Sequence, residues 1–112
     1  MVDALERRRA VRVSVVIPVE VHDGRGFLLH GTRDISTAGV FFDRAIPHAV
    51  GAKVTLTFTL PGDELTIRCD GEVANVPDAK GYGMGIRFVG LTADDSARIE
   101  AFTKDLLSEE HQ

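Results

Sequence analysis

The chain has 112 residues, of which 44% are apolar and 27% charged, and its net charge is −4. This length and composition are typical of one folded domain and exclude a disordered chain. A net negative charge argues against binding of DNA or RNA over a broad basic face. No apolar run is long enough for a membrane span or a secretory signal, so we expect a cytoplasmic protein without membrane insertion.

The chain divides into three parts by composition. Residues 1–12 are polar and arginine-rich, and we expect them to form a flexible N-terminal switch segment. Residues 13–91 contain short runs of alternating apolar and polar side chains separated by Gly, Pro and Asp, which predicts strands joined by turns. The predicted strands cover residues 13–21, 27–33, 39–42, 53–60, 64–76 and 82–89.

A helix is predicted over residues 92–108. Thr92 is a suitable N-cap, and Asp94 and Asp95 favour the first turn because carboxylates interact with the positive end of the helix dipole. An apolar stripe follows at helical spacing, formed by Ile99, Phe102, Leu106 and Leu107. The pattern predicts an all-β dominated fold, a six-stranded antiparallel β-barrel with a C-terminal α-helix.

The residues that most often carry catalysis or metal binding are sparse here. Cys69 is the only cysteine and is interpreted as a packed side chain. Ser36 lacks the sequence context of a catalytic nucleophile. The histidines show no metal-ligand spacing with Cys69 or with each other; they are His22, His30, His48 and His111. We therefore expect neither an enzyme nor a bound cofactor.

The N-terminal part carries a cluster of four arginines without an acid. Arg8 and Arg12 are four residues apart, and Arg7 and Arg9 lie beside them. A guanidinium group can donate two parallel hydrogen bonds to one phosphate and can stack on a flat ring. The cluster therefore suits an anionic ligand with planar bases. By itself the cluster also fits a solvated basic tail.

A compact turn motif follows the second predicted strand. Asp34 and Ser36 are two residues apart in an extended segment, so their side chains can share one face. A carboxylate can accept hydrogen bonds from the N1 and N2 hydrogens of guanine, and a hydroxyl can add another. Gly39 permits a sharp turn or a close backbone approach. Alone, the motif also fits an ordinary turn between strands.

Together, the two motifs resemble the signature of the PilZ domain family, bacterial receptors for cyclic di-GMP. That signature is RxxxR before the first strand and (D/N)xSxxG after the second; residues 8–12 and 34–39 match it. The run 83–88, Gly-Met-Gly-Ile-Arg-Phe, resembles the last barrel strand of the family. The resemblance covers about residues 6 to 107 and implies a six-stranded barrel with a C-terminal helix.

The resemblance also implies roles for individual residues. Arg8 and Arg12 would bind phosphates and stack on guanines, Asp34 and Ser36 would contact a guanine, and Gly39 would shape the turn. Some family members place a large aromatic side chain near the ligand, whereas this chain has no Trp. The predicted ligand-binding residues are Arg8, Arg9, Arg12, Asp34, Ser36 and Gly39, with Arg7 and Tyr82 as weaker candidates.

The function expected from the resemblance is that of a cyclic di-GMP receptor. It would signal to an unidentified downstream protein by ordering its N-terminal segment around the ligand. The alternative is a PilZ-like protein–protein interaction adaptor that binds no nucleotide. A nucleic-acid-binding barrel is disfavoured because its exposed strand face would need aromatic residues interleaved with basic ones, and the six Phe are interpreted as core.

Overall fold

A computed structural model describes residues 11–45, 48–76 and 83–110. In this part of the chain, eight strands form one antiparallel sheet and a single helix follows. The elements are β1 (Val13–Ser14), β2 (Pro18–His22), β3 (Phe27–Gly31), β4 (Asp34–Ile35), β5 (Gly39–Phe42), β6 (Lys53–Thr59), β7 (Thr66–Asn75), β8 (Met84–Phe88) and α1 (Ala93–Glu110). The strand order in the sheet is β1-β4-β5-β8-β7-β6-β2-β3.

The two ends of this order belong to one long hairpin. β1 and β2 follow each other in its first arm, and β3 and β4 follow each other in its second. Between these pairs the arms stay hydrogen-bonded, because Val15 N donates to Arg33 O at 3.2 Å and Thr32 N donates to Ile17 O at 3.1 Å. The hairpin therefore joins both ends of the sheet, which curls into a barrel.

Each arm of the hairpin is interrupted where the side chain of Thr32 replaces part of the backbone hydrogen-bond ladder. The hydroxyl of Thr32 accepts a hydrogen bond from Ile17 N at 2.9 Å and donates one to Val15 O at 2.6 Å. Pro18, which has no N–H to donate, begins β2 directly afterwards. The predicted barrel with a C-terminal helix is confirmed. The strand number differs from the predicted six because each hairpin arm is split in two.

The core follows from the alternation of side chains along the strands. In β6, Val54, Leu56 and Phe58 are buried while their neighbours are exposed or half-buried. Such a period of two turns every second side chain toward the barrel interior. The helix adds the fully buried Ile99 to the same core. Three half-buried helix residues pack against it, namely Phe102, Leu106 and Leu107.

The helix begins at a side-chain cap and is held to a neighbouring turn. Thr92 Oγ1 accepts a hydrogen bond from Asp95 N at 3.1 Å, which confirms the predicted N-cap. Arg98 donates to Asp63 Oδ2 at 2.9 Å and to Leu65 O at 2.7 Å, in the connection between β6 and β7. The hydrogen bond from Arg98 is the main reason that the pKa of Asp63 is lowered.

Cys69 lies on the buried face of β7. The pKa of Cys69 is raised to about 11, mainly because the thiol is buried and to a smaller extent because Asp70 and Asp95 are negatively charged. At about pH 8 we expect DTNB to label the native thiol at least about 100-fold more slowly than free cysteine, because the thiolate is the reactive form. After unfolding in guanidinium chloride the thiol should react at the normal rate. Rapid stoichiometric labelling of the native protein would contradict this burial.

Candidate ligand-binding site

Asp34 lies at the centre of the site and its side chain is only 10% exposed. Arg12 Nη1 donates to Asp34 Oδ1 at 2.6 Å, while Arg33 Nε and Nη2 both donate to Oδ2 at 3.1 Å. The side chains of Arg12 and Arg33 remain 54% and 56% exposed. A nearly buried carboxylate thus positions two cations that solvent can reach.

The sheet register explains why Arg12 and Asp34 meet. Ser14 in β1 pairs directly with Asp34 in β4. Directly paired residues share a face of the sheet, and so do residues two apart on one strand. Arg12 precedes Ser14 by two residues and therefore lies on the face that carries Asp34. Arg12 and Asp34, 22 residues apart in sequence, meet through this short strand pair.

The turn between β4 and β5 is closed by Ser36. Ser36 N donates to Gly39 O at 2.9 Å, and the Ser36 hydroxyl accepts a hydrogen bond from Ala38 N at 3.0 Å. Ser36 is fully buried. In this arrangement the serine holds the turn that follows Asp34. A direct contact between Ser36 and a guanine stays a prediction, since it requires the hydroxyl to become accessible.

Gly39 is needed for close packing of two strands. A Cβ at this position would lie under 3.0 Å from the carbonyl oxygen of Ile86, a separation that real Cβ atoms essentially never show. Gly39 pairs with Arg87 in the ladder between β5 and β8. Its φ is not in the left-handed region, which among the described glycines is adopted by Gly24, Gly51 and Gly62. Close approach, rather than a sharp turn, therefore explains the glycine.

An open groove of about 740 Å³ runs past these residues. Arg12, Arg33 and Arg87 line it together with Asn75 and Phe41, and none of its described lining residues is acidic. Arg87 is also paired with Glu72. Three guanidinium groups and an aromatic ring favour an anionic ligand with planar groups.

A second groove, of about 540 Å³, has a different character. Its lining includes Lys53 and Arg87 but also Asp23, Asp70 and Glu72. The acids would repel a ligand with several phosphates. The groove beside Asp34 is therefore the better candidate for such a ligand.

The sequence-predicted residues differ in how the structure places them. Arg12 and Asp34 are in direct contact, Gly39 lines the groove, and Ser36 shapes the adjoining turn. The remaining predicted residues, Arg7, Arg8, Arg9 and Tyr82, lie outside the described residues, as does most of the predicted switch segment.

Arg33 and Phe41 line the groove but were missed by the sequence reasoning. Arg33 directly precedes the Asp34 motif, and Phe41 follows Gly39 by two residues. The available signal was the alternation of β5, which places Phe41 on the face opposite to the fully buried Val40 and Phe42. Phe41 is only half-buried.

Residues 11–45, 48–76 and 83–110 contain no group of three or more His, Cys, Asp or Glu residues that could hold a metal ion. Within the same ranges, no helix has the length and apolarity that crossing a bilayer requires.

Comparison with known families identifies the family of this chain. The PilZ domain family model matches residues 6–105. The chain belongs to the PilZ domain family. No curated protein sequence matches this PilZ domain significantly.

Solved structures share the fold of this PilZ domain at low sequence identity. The inhibitor of motility MotI/DgrA from Bacillus subtilis has a TM-score of 0.74 and 20% identity, over 91% of this chain and 52% of that one. The MrkH–c-di-GMP complex from K. pneumonia has a TM-score of 0.71 and 23% identity, over 94% and 54%. The PilZ domain of YcgR from Escherichia coli, solved with c-di-GMP, has a TM-score of 0.66 and 14% identity, over 95% and 98%. This chain spans about half the length of the MotI and MrkH chains.

Proposed function

We propose that this PilZ domain is a cytoplasmic receptor for cyclic di-GMP. The observation that carries the proposal is the contact of Asp34 with Arg12 and Arg33 beside a groove whose described lining contains no acid. The dinucleotide has two phosphates and two planar bases, which match the cations and the acceptor gathered there. The MrkH and YcgR domains of the same fold, solved with c-di-GMP, support the same assignment.

The phosphates are assigned to the arginines. Arg12 already lies at the groove with more than half of its side chain exposed. A charge-assisted bond from a guanidinium group to a phosphate is roughly twice as strong as a neutral hydrogen bond. Arg8 and Arg9, from the same motif, are proposed to add further phosphate contacts, with Arg7 as a weaker contributor.

One guanine is assigned to Asp34. A carboxylate offers about four acceptor positions. The arginines fill one on Oδ1 and two on Oδ2, so an acceptor position remains on Oδ1. We assign a guanine N–H to this remaining position, while Ser36 would keep the turn behind Asp34 in shape.

The proposed signal is a change in the segment that precedes β1. Arg12 joins this segment to the barrel through Asp34, and a ligand phosphate competes with Asp34 for the same guanidinium group. A ligand shifts a conformational equilibrium only by its differential affinity for the two states. Phosphate contacts from residues 8–12 provide that difference, and a downstream protein would bind the newly ordered surface.

Calorimetric titration with cyclic di-GMP tests the receptor function. We expect a dissociation constant around the micromolar range, on the order of −8 kcal/mol. GTP and GMP should compete poorly, because neither presents two guanines on a closed phosphate ring. The control is Arg68→Ala, which removes an exposed arginine in β7 that does not line the groove. An absence of heat, together with no competition-sensitive binding at low salt, would refute the receptor function.

A second candidate function is the interaction adaptor without nucleotide binding. The observation that favours it is the free edge of β3, which pairs only with β2 among the described strands. Three consecutive apolar side chains of β3 are exposed, namely Phe27 (55%), Leu28 (55%) and Leu29 (64%). An unprotected apolar edge strand is suited to pairing with another chain. A folded protein that shows no cyclic di-GMP binding in the same titration would favour this function.

A further inference from the structure

We infer that Arg33 and Phe41 form a stacking platform for one guanine base of the ligand, an inference that rests on the proposed receptor function. The Arg33 Cζ atom lies 4.2 Å from the centroid of the Phe41 ring. Both side chains line the groove that contains Arg12. Neither residue belongs to the two sequence motifs.

The guanidinium group of Arg33 is held by hydrogen bonds to Asp34 and by contact with the Phe41 ring. Its Nε and Nη2 atoms both donate to Asp34 Oδ2 at 3.1 Å, which restrains the edge. Phe41 covers one face, and Arg33 N donates to Phe41 O at 2.7 Å, which keeps the two backbones together. With 56% of the side chain exposed, the guanidinium group remains accessible from the groove, and we assign its face away from Phe41 to the ligand.

Phe41 is itself supported by the barrel wall. Its ladder partner in β8 is Gly85. A Cβ at Gly85 would lie 3.4 Å from Phe41 Cδ2, so the ring lies close to this glycine. Phe41 also pairs with Asp34 in β4, which ties the ring to the same rigid strands. The platform of Arg33 and Phe41 is therefore set before any ligand arrives.

The platform suits a purine base. A guanidinium plane is weakly hydrated and stacks on flat rings, and here it already stacks on a phenyl ring. A base on its open face would complete a layered arrangement of ring, cation and base. The chain contains no Trp that could provide an alternative surface.

The geometry also separates the two bases of the ligand. The hydrogen bonds of Arg33 to Asp34 run along the edge of the guanidinium group. A base stacked on the face of Arg33 lies in a parallel layer, and a base that donates to Asp34 must approach the carboxylate itself. We therefore assign the stacked base and the Asp34-bound base to the two different guanines.

Conservative variants distinguish stacking from charge. Arg33→Lys keeps the positive charge but removes the planar group, and we expect it to weaken cyclic di-GMP binding about fivefold to tenfold in calorimetry. Phe41→Leu keeps an apolar side chain but removes the ring, and we expect a loss of about twofold to fivefold. The matched control is Arg68→Lys, which should bind like the wild type.

The outcomes separate this inference from the receptor function. Wild-type affinity in Arg33→Lys, with an unchanged melting temperature, overturns the platform and leaves the receptor function standing. A weaker Arg33→Lys variant combined with wild-type affinity in Phe41→Leu assigns Arg33 to a phosphate and overturns the stacking role. Failure of the wild-type protein to bind cyclic di-GMP overturns both proposals. Reduced affinity in both variants supports the platform.

Discussion

Gly39→Ala is expected to lower the free energy of unfolding by about 3 kcal/mol, the upper part of the range for overpacked sites. The added Cβ would lie under 3.0 Å from the carbonyl oxygen of Ile86 and 3.1 Å from Cα of Arg87. Both are backbone atoms of β8, which pairs with β5 and β7. They cannot move aside without disturbing ladder hydrogen bonds on both sides, so the clash cannot be relieved by a side-chain rotation.

The matched control is Gly26→Ala in the first hairpin. A Cβ at Gly26 would meet nothing within 4 Å. We expect its effect to stay within about 0.5 kcal/mol, as is usual for surface positions without special geometry. Urea unfolding followed by circular dichroism measures both variants. Equal stability of Gly39→Ala and Gly26→Ala would show that β5 and β8 do not need this close approach.

Removing either partner of the Arg12–Asp34 pair is expected to impair ligand binding severely. Arg12→Ala should weaken cyclic di-GMP binding by at least about tenfold, equivalent to ~1.4 kcal/mol, through loss of phosphate contacts. Arg12→Lys should restore only part of this, because Lys lacks the planar fork. Asp34→Ala should cost at least as much, since it removes the guanine acceptor and releases both Arg12 and Arg33. Calorimetry measures each dissociation constant.

Two further variants make this prediction specific. Asp34→Asn keeps one side-chain acceptor and should lose less affinity than Asp34→Ala, in line with the Asp or Asn of the family signature. The double variant of Arg12→Ala and Asp34→Ala should lose less than the sum of the single losses, because the residues are in contact. Unliganded stability should change by no more than about 1 kcal/mol in Arg12→Ala, because the arginine is 54% exposed. Unchanged affinity in Arg12→Ala would remove this arginine from the site.

The sequence by itself was sufficient for the features that depend on local order. The alternation in residues 53–59 predicts which side chains of β6 are buried, because neighbouring residues on a strand point to opposite faces. The N-cap at Thr92 is confirmed because capping involves only the next few residues. The paired motifs indicated the family, and the match over residues 6–105 confirms it.

The tertiary structure alone decided the features that depend on distant parts of the chain. Thr32 interrupts the first hairpin because its hydroxyl bonds to Ile17 in the opposite arm, 15 residues away in sequence. The close approach of Gly39 to Ile86 depends on how β5 and β8 pack, which no local pattern encodes. The contacts of Arg33 with Asp34 and Phe41 arise from the pairing of β4 with β5 and from side-chain packing. Periodicity and capping are properties of adjacent residues, whereas register, strand spacing and side-chain stacking exist only once the barrel has closed.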